Sequence, residues 1–173
     1  LSIVRKHSGH IEIESEPGTG TTVHIYLPAS DKSLNGQVNG SQQPLHGSGR
    51  ILVMDDEEAI LDMASALLSH FGYRPGVARD GEEAIALYKE AAAKNDPFAG
   101  VIMDLTIPGG MGGKEAAREL LRIDPDAKLI VSSGYSTDPV MSDFRAHGFR
   151  GVISKPYRIE DLGETLRNVL DGE

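Results

Sequence analysis

From Arg50 to the end of the chain, short apolar runs alternate with longer amphipathic stretches. This alternation is typical of strands and helices that follow one another around a parallel sheet, because a strand covered on both faces reads as an unbroken apolar run. The pattern predicts strands near residues 51–54, 73–78, 98–103, 128–132 and 151–154. We therefore expect a doubly wound α/β domain with five strands, five helices and right-handed crossovers.

The amphipathic stretches predict helices at about 57–70, after Asp80, at 114–122, briefly after Pro139, and at about 159–170. Asp80 is a good N-cap, since its carboxylate can accept a hydrogen bond from a backbone N–H of the first turn. The expected buried faces are Ile60, Ala64, Leu67 and Phe71, then Ala84, Ile85, Tyr88 and Ala92, and in the last helix Ile159, Leu162, Leu166 and Leu170.

Chemically reactive side chains stand at the downstream ends of four predicted strands. Asp55 and Asp56 follow the run ILVM, Asp104 follows GVIM, Ser133 follows LIVS and Lys155 follows GVIS. The carboxyl ends of parallel strands meet at one edge of a sheet, where ligands of such folds bind. A single Asp after a strand is usually a turn former or helix cap, but four such sites on four strands predict one shared site.

Three carboxylates, a hydroxyl and an ammonium suit a divalent cation and a phosphoryl group. Mg²⁺ prefers oxygen ligands and is commonly held by one or two carboxylates together with a phosphate. We expect Asp56 and Asp104 to be direct ligands of Mg²⁺, or of Mn²⁺ in its place, with Asp55 holding a water. Asp104 stands alone at its strand end and is the predicted nucleophile, while Lys155 and Ser133 would bind phosphoryl oxygens.

Composition narrows the classes of partner. The formal charge of −9 and the lack of clustered Lys or Arg argue against binding to nucleic acid, because contacts to phosphates require a basic surface. The absence of Cys excludes disulfides and thiolate metal sites. No apolar run approaches the roughly 18 residues of a spanning helix, so we expect no membrane contact, and we expect the chain to be a piece of a longer protein because it begins without Met.

Residues 1–49 differ in texture from the rest of the chain. Residues 1–28 read as a helix end followed by two strands, IEIES and TTVHIYL, joined by the turn-rich EPGTG. Residues 29–49 are rich in Gly, Ser, Asn and Gln and predict a flexible linker. Residues 50–173 form the predicted α/β domain.

Residues 50–173 resemble a response-regulator receiver domain of two-component signalling. The resemblance rests on the pair Asp55–Asp56, the segment DLTIPGGMGG at Asp104, SSG at Ser133 and the KP pair at Lys155. It implies a flavodoxin-like (βα)5 fold with strand order 2-1-3-4-5. It also implies that Asp104 takes a phosphoryl group from phosphohistidine in a Mg²⁺-dependent reaction, and that the receiver catalyses this transfer and a slow dephosphorylation itself.

The resemblance extends to residues around the site. It implies metal ligation by the Thr106 carbonyl, a cis peptide before Pro156 and a shift of Ser133 toward the phosphate. Receivers usually carry an aromatic residue three positions before the lysine, where this chain has Val152. Tyr135, two residues after Ser133, either takes a role related to that of the usual aromatic residue or is an exposed loop residue. Gly134 suggests that the edge of the site is mobile.

Residues 1–28 resemble the extreme C-terminal end of a histidine-kinase ATPase domain, through the LS start, a GH turn and the SEPGTGT hairpin. A kinase end, a linker and a receiver in this order imply a hybrid sensor histidine kinase. The fragment itself would lack kinase activity, since most of the nucleotide pocket is missing. The implied partners are the parent kinase core, a histidine-phosphotransfer protein and, in vitro, small phosphodonors. We expect a cytoplasmic monomer, whose parent kinase can be membrane-anchored.

Two other functions stay open. A degenerate receiver would act as a passive interaction module. An aspartate-dependent phosphohydrolase would turn over external phosphoesters, but such enzymes typically carry an acid two residues beyond the nucleophile, where this chain has Thr106.

Overall fold

The computed structural model describes residues 4–5, 7–29, 47–134 and 139–172. The chain divides into two compact units, with the boundary between residues 41 and 42. Most of the predicted linker and the candidate modulator Tyr135 lie outside the described residues. Across the described ranges, the helices are all too short or too polar to cross a membrane.

The first unit contains an antiparallel hairpin of β1 (His10–Glu16) and β2 (Gly20–Tyr26). Ile11 pairs with Ile25 and Ile13 pairs with Val23, so these apolar side chains share one face of the hairpin. Gly18 and Gly20 have positive φ in and after the connecting turn, which favours glycine. The predicted strand pair is therefore present. Of the helix end predicted before it, Val4 and Arg5 are helical, and residues 1–3 and 6 lie outside the described residues.

The second unit is built on five parallel strands. They are β3 (Arg50–Met54), β4 (Arg74–Ala78), β5 (Phe98–Asp104), β6 (Leu129–Ser133) and β7 (Gly151–Ser154). Their spatial order is β4-β3-β5-β6-β7, which is 2-1-3-4-5 when these five strands are counted from the first. The predicted fold class and strand order are confirmed.

Helices connect the strands on both sides of the sheet. They are α1 (Glu58–His70), α2 (Gly81–Ala93), α3 (Gly113–Ile123), the single turn α4 (Pro139–Ser142) and α5 (Ile159–Leu170). A short 3-10 helix, Phe144–His147, follows α4. Asp80 caps α2 as expected, because its carboxylate accepts a hydrogen bond from Glu83 N at 2.8 Å.

The strand side chains alternate between two apolar layers. Ile51 and Val53 point into the layer that contains Leu61 and Leu68 of α1 and Leu162 of α5. The neighbouring strand residues Leu52 and Met54 point into the layer beneath α2 and α3. Both faces of the sheet are thus covered, which explains the unbroken apolar runs of the sequence.

Three predicted helix faces were partly wrong. In α1 the buried residues are Leu61, Ala64 and Leu68, whereas Ile60 and Leu67 are only partly buried. In α2 Ala91 is buried in place of the exposed Ala92, and in α5 Val169 is buried while Ile159 is exposed. These helices carry apolar residues at neighbouring positions. The sequence pattern alone therefore did not decide which of them face the sheet.

Candidate functional site

The four predicted strand ends meet at one edge of the second sheet. Asp55 directly follows β3, Asp104 ends β5, Ser133 ends β6, and Lys155 directly follows β7. Because all these strands are parallel, their carboxyl ends face the same side. The structure therefore brings the predicted side chains to one place.

Asp55, Asp56 and Asp104 form an acidic cluster. Each offers one carboxylate oxygen, and these oxygens all lie within 4.8 Å of one another. Asp55 is fully buried and Asp104 is nearly so, whereas Asp56 is exposed. Asp55 Oδ1 accepts a hydrogen bond from Glu57 N at 3.0 Å. A cluster of three carboxylates fits a hard divalent cation such as Mg²⁺, because this ion prefers oxygen ligands.

Lys155 places a positive charge inside this cluster. Its Nζ atom lies 2.5 Å from Asp55 Oδ2 and 2.9 Å from Asp104 Oδ2. The Lys155 backbone is fixed to β6, because Lys155 N donates to Ser133 O at 3.0 Å. The following Lys155–Pro156 peptide bond is cis, the conformation that the family resemblance implies.

Burial and charge act in opposite directions on these groups. Burial raises the pKa of Asp104 above its ordinary value, and the contact with Lys155 opposes this shift without cancelling it. Burial alone would lower the pKa of Lys155, but Asp55 and Asp104 outweigh it and raise that pKa. A divalent cation at the cluster would favour the ionised carboxylates over the protonated ones.

A cleft of about 660 Å³ opens above the acidic cluster. Ser133 lies on its wall although only 3% of the residue is exposed, and the exposed Thr106 and Gly134 border it. The lining residues are Asp56, Glu57, Ile60, Asp104, Thr106, Pro108, Ser133, Gly134, Lys155 and Pro156. The acidic, hydroxyl and ammonium groups predicted from sequence thus share one solvent-open cleft.

Val152 is not among the residues that line the cleft. It is half-buried in the apolar layer beneath α2 and α3, and it pairs in register with Val131. The residue is therefore a packing residue on one face of β7 and supplies no aromatic ring near Ser133.

A buried pair of hydroxyls beside the site was not predicted from the sequence. Ser132 Oγ and Tyr157 Oη lie 2.8 Å apart, with Ser132 fully buried and Tyr157 8% exposed. Tyr157 follows the predicted KP pair directly, and this position was the available signal. Its apolar ring alone reads as core, so the hydroxyl contact with a strand 25 residues away was not apparent.

Comparison with known proteins identifies the family. Residues 51–167 match the model of the response regulator receiver domain. The chemotaxis protein CheY of Thermotoga maritima is 34% identical over 121 residues, which cover 69% of this chain and 96% of that protein. A crystal structure of the response regulator TrrA from the same organism, in complex with Mg²⁺ and BeF, superimposes with a TM-score of 0.60 at 30% identity, covering 70% of this chain and 99% of TrrA.

A longer relative matches nearly the whole chain. The sensor kinase CckA of Brucella abortus is 30% identical over 178 residues, which cover 98% of this chain but only 18% of that protein. The match spans both units described above, whereas the CheY match covers about two thirds of the chain. The family match falls on the second unit of this chain, which holds the five-stranded parallel sheet and the acidic cleft. This chain therefore belongs to the response regulator receiver domain family.

Proposed function

We propose that Asp104 is the residue that accepts the phosphoryl group. Receiver domains of two-component signalling are phosphorylated on an aspartate. Asp104 is the acidic residue at the end of the central strand β5, and its Oδ2 atom lies 2.9 Å from the ammonium of Lys155. This contact carries the proposal, since a cation so close to one carboxylate oxygen is in place to bind a phosphoryl group attached there.

The transfer is a displacement at phosphorus. A carboxylate oxygen of Asp104 attacks the phosphorus of a phosphohistidine, the bond from phosphorus to the imidazole nitrogen breaks, and the imidazole leaves with the bond electrons. Lys155 binds a phosphoryl oxygen through its ammonium, and Ser133 donates a hydrogen bond to another. No separate general base is needed, because an ionised carboxylate attacks without losing a proton, and a cation held by the three aspartates would favour this ionised form.

Asp55, Asp56 and Asp104 are proposed to hold Mg²⁺, or Mn²⁺ in its place, with the Thr106 carbonyl as a further ligand. The cluster of carboxylate oxygens within 4.8 Å supports this assignment. The structure of TrrA in complex with Mg²⁺ and BeF supports it further, since that protein is 30% identical to this chain. The bound cation would supply charge neutralisation between the carboxylates and the incoming phosphoryl group.

Phosphorylation adds a charge of about −1.5 to −2 at Asp104. We propose that Ser133 and Lys155 move to the new phosphoryl oxygens and that Gly134, directly after β6, moves with them. Val152 cannot contribute the aromatic rotation usual in receivers. A passive receiver is the second candidate, and the missing aromatic at Val152 is the observation that favours it.

We propose that the whole protein is a hybrid histidine kinase. In this proposal residues 1–28 end the kinase ATPase domain, residues 29–49 form a linker and residues 50–173 form the receiver. The 30% identity to the sensor kinase CckA over 98% of this chain supports the order of these parts. The phosphodonor would then be the parent kinase core or a histidine-phosphotransfer protein in the cytoplasm, with the receiver acting as a monomer.

Incubation with phosphoramidate and Mg²⁺, followed by intact-protein mass spectrometry, tests the proposal. The wild type should gain one phosphate-sized adduct, and chelation of Mg²⁺ should prevent it. Asp104→Asn should gain none under the same conditions. An unmodified wild type that also shows no NMR shifts at the three aspartates on addition of Mg²⁺ would favour the passive receiver.

A further inference from the structure

The buried hydroxyls of Ser132 and Tyr157 are costly groups to place in an apolar layer. Tyr157 packs with Ile153, Leu162 and Leu166, an environment that a phenylalanine ring would fill equally well. Each hydroxyl loses its water on burial, and their mutual contact at 2.8 Å offsets part of that cost. Burial raises the pKa of Tyr157 to about 12, so its hydroxyl stays neutral at physiological pH. The hydroxyl therefore serves something other than packing.

The pair lies directly beside the proposed phosphoacceptor. Ser132 is the register partner of Asp104 across β5 and β6, and Ser132 O accepts a hydrogen bond from Leu105 N at 3.2 Å. Tyr157 lies two residues after Lys155 in the chain. The contact thus joins the strand that flanks Asp104 to the segment that carries Lys155.

Lys155 is held between two anchors on β6. Upstream of the cis peptide, Lys155 N donates to Ser133 O at 3.0 Å. Downstream of it, the Tyr157 hydroxyl contacts Ser132. Residues 155–157 are thus hydrogen-bonded at both ends to adjacent residues of β6. In this position the Lys155 ammonium contacts Asp55 and Asp104.

This arrangement lies on the opposite side of the sheet from Val152. Tyr157 belongs to the layer of α1 and α5, whereas Val152 packs in the layer of α2 and α3. Because α5 begins at Ile159, two residues after Tyr157, a displacement of Lys155 would act on the start of this helix.

We propose that the Ser132–Tyr157 hydroxyl pair positions Lys155 for the phosphoryl group, which makes both residues positioning residues of phosphoryl transfer. The proposal rests on the proposed function of Asp104. The loss of the pair should slow phosphorylation by about five-fold, the factor that corresponds to one ordinary buried hydrogen bond.

The test compares phosphorylation rates with phosphoramidate and Mg²⁺ for the wild type, Tyr157→Phe, Ser132→Ala and the double variant. The matched control is Tyr88→Phe. Tyr88 is as buried as Tyr157 and donates a hydrogen bond to Asp124 Oδ2 at 2.7 Å, but it belongs to the apolar layer on the other side of the sheet. Both single variants should be slowed and Tyr88→Phe should not. The double variant should be no slower than the slower single variant, because the two hydroxyls act as one unit.

Two rate results would overturn the proposal: phosphorylation of Tyr157→Phe at the wild-type rate, or slowing of Tyr88→Phe by as much as Tyr157→Phe. If a single variant fails to fold, the double variant carries the test, since it leaves no hydroxyl of the pair unpaired. A second readout needs no phosphorylation: the Lys155 side-chain ¹³Cε signal, assigned with Lys155→Arg, should shift in Tyr157→Phe and not in Tyr88→Phe. Failure of the wild type to become phosphorylated would refute the role of Asp104. A Lys155 ¹³Cε signal that does not shift in Tyr157→Phe would refute the positioning role of the hydroxyl pair.

Discussion

Lys155 Nζ contacts Asp104 Oδ2 at 2.9 Å, so the proposed phosphoacceptor is already paired with the cation proposed to bind its phosphate. The same ammonium lies 2.5 Å from Asp55 Oδ2, and only 11% of the Lys155 side chain is exposed. Lys155 therefore offsets the charge of two buried carboxylates before any phosphate arrives. A cation at the proposed Mg²⁺ site would be held by the same carboxylates, so Mg²⁺ and the lysine would compete for part of the site.

This sharing predicts the effect of Lys155→Met. The variant leaves Asp55 buried without its ion-pair partner, which should lower the free energy of unfolding by about 3–5 kcal/mol. Saturating Mg²⁺ should restore much of the loss, since the cation replaces the missing positive charge. Urea unfolding with and without Mg²⁺ measures both effects. The control is Lys94→Met, which removes a surface ion pair with Glu90 and should change stability little, with no dependence on Mg²⁺. Equal losses with and without Mg²⁺ would contradict the shared site.

The backbone at Asp104 leaves no room for a side chain at Gly113. A Cβ atom there would lie 2.5 Å from Asp104 O, which is a backbone atom and cannot rotate away. Gly113→Ala should therefore shift the end of β5, lower stability by about 1–3 kcal/mol and slow phosphorylation. Gly134→Ala is a control for stability, because a Cβ atom at Gly134 would meet nothing within 4 Å. Thermal unfolding and the phosphorylation rate check the prediction, and a fully stable Gly113→Ala would contradict it.

An ion-pair network at the other end of the sheet predicts a pH dependence. The hydrogen bond from Arg74 Nη2 to Asp96 Oδ1, at 2.7 Å, lowers the pKa of Asp96, and the charge of Arg50 adds to this. A carboxyl whose pKa is lower in the folded state stabilises the protein above its unfolded pKa and loses this contribution as pH falls through its folded pKa. Asp96→Asn should therefore be less stable than wild type at neutral pH, and the difference should vanish in acid.

Urea unfolding of both proteins across the acidic range tests this dependence. Asp126→Asn is the control, since Asp126 is fully exposed and its Oδ1 atom lies 3.8 Å from Arg150 Nη2. It should match the wild type throughout. A stability difference for Asp96→Asn that stays constant down to the lowest pH would contradict the charge-based explanation.

The two compact units predict that the receiver works without the hairpin. The described part of the second unit contains both apolar layers and the whole acidic cleft. A chain of residues 42–173 should therefore unfold cooperatively, as expected for a domain with its own core. Its rate of phosphorylation should lie within about two-fold of the rate of the full chain. Circular dichroism melts and phosphorylation time courses compare the two. Loss of the cooperative transition would show that residues 1–41 are needed for the fold.

The sequence predicted the sheet and most of the site because strand ends are marked by local chemistry. Asp55, Asp104 and Lys155 each follow an apolar run, and parallel topology alone brings such ends together. Helix faces were less predictable, since Ile60 and Leu61 are both apolar and only packing against the sheet decides that Leu61 is buried.

The Ser132–Tyr157 contact could not be predicted for a different reason. It depends on the path of the backbone from Lys155 to Tyr157 and on which face of β6 Ser132 occupies. Neither is encoded in a local pattern, because a one-residue change of register would turn Ser132 to the opposite layer.

The site of phosphorylation is the central claim, and reductive trapping followed by peptide mapping tests it most directly. The wild type is phosphorylated with phosphoramidate and Mg²⁺ and treated with borohydride, which reduces an acyl phosphate to an alcohol. The reduced residue should be Asp104, with Asp55 and Asp56 unchanged. Reduction at Asp55 or Asp56, or equal labelling of Asp104→Asn, would contradict it.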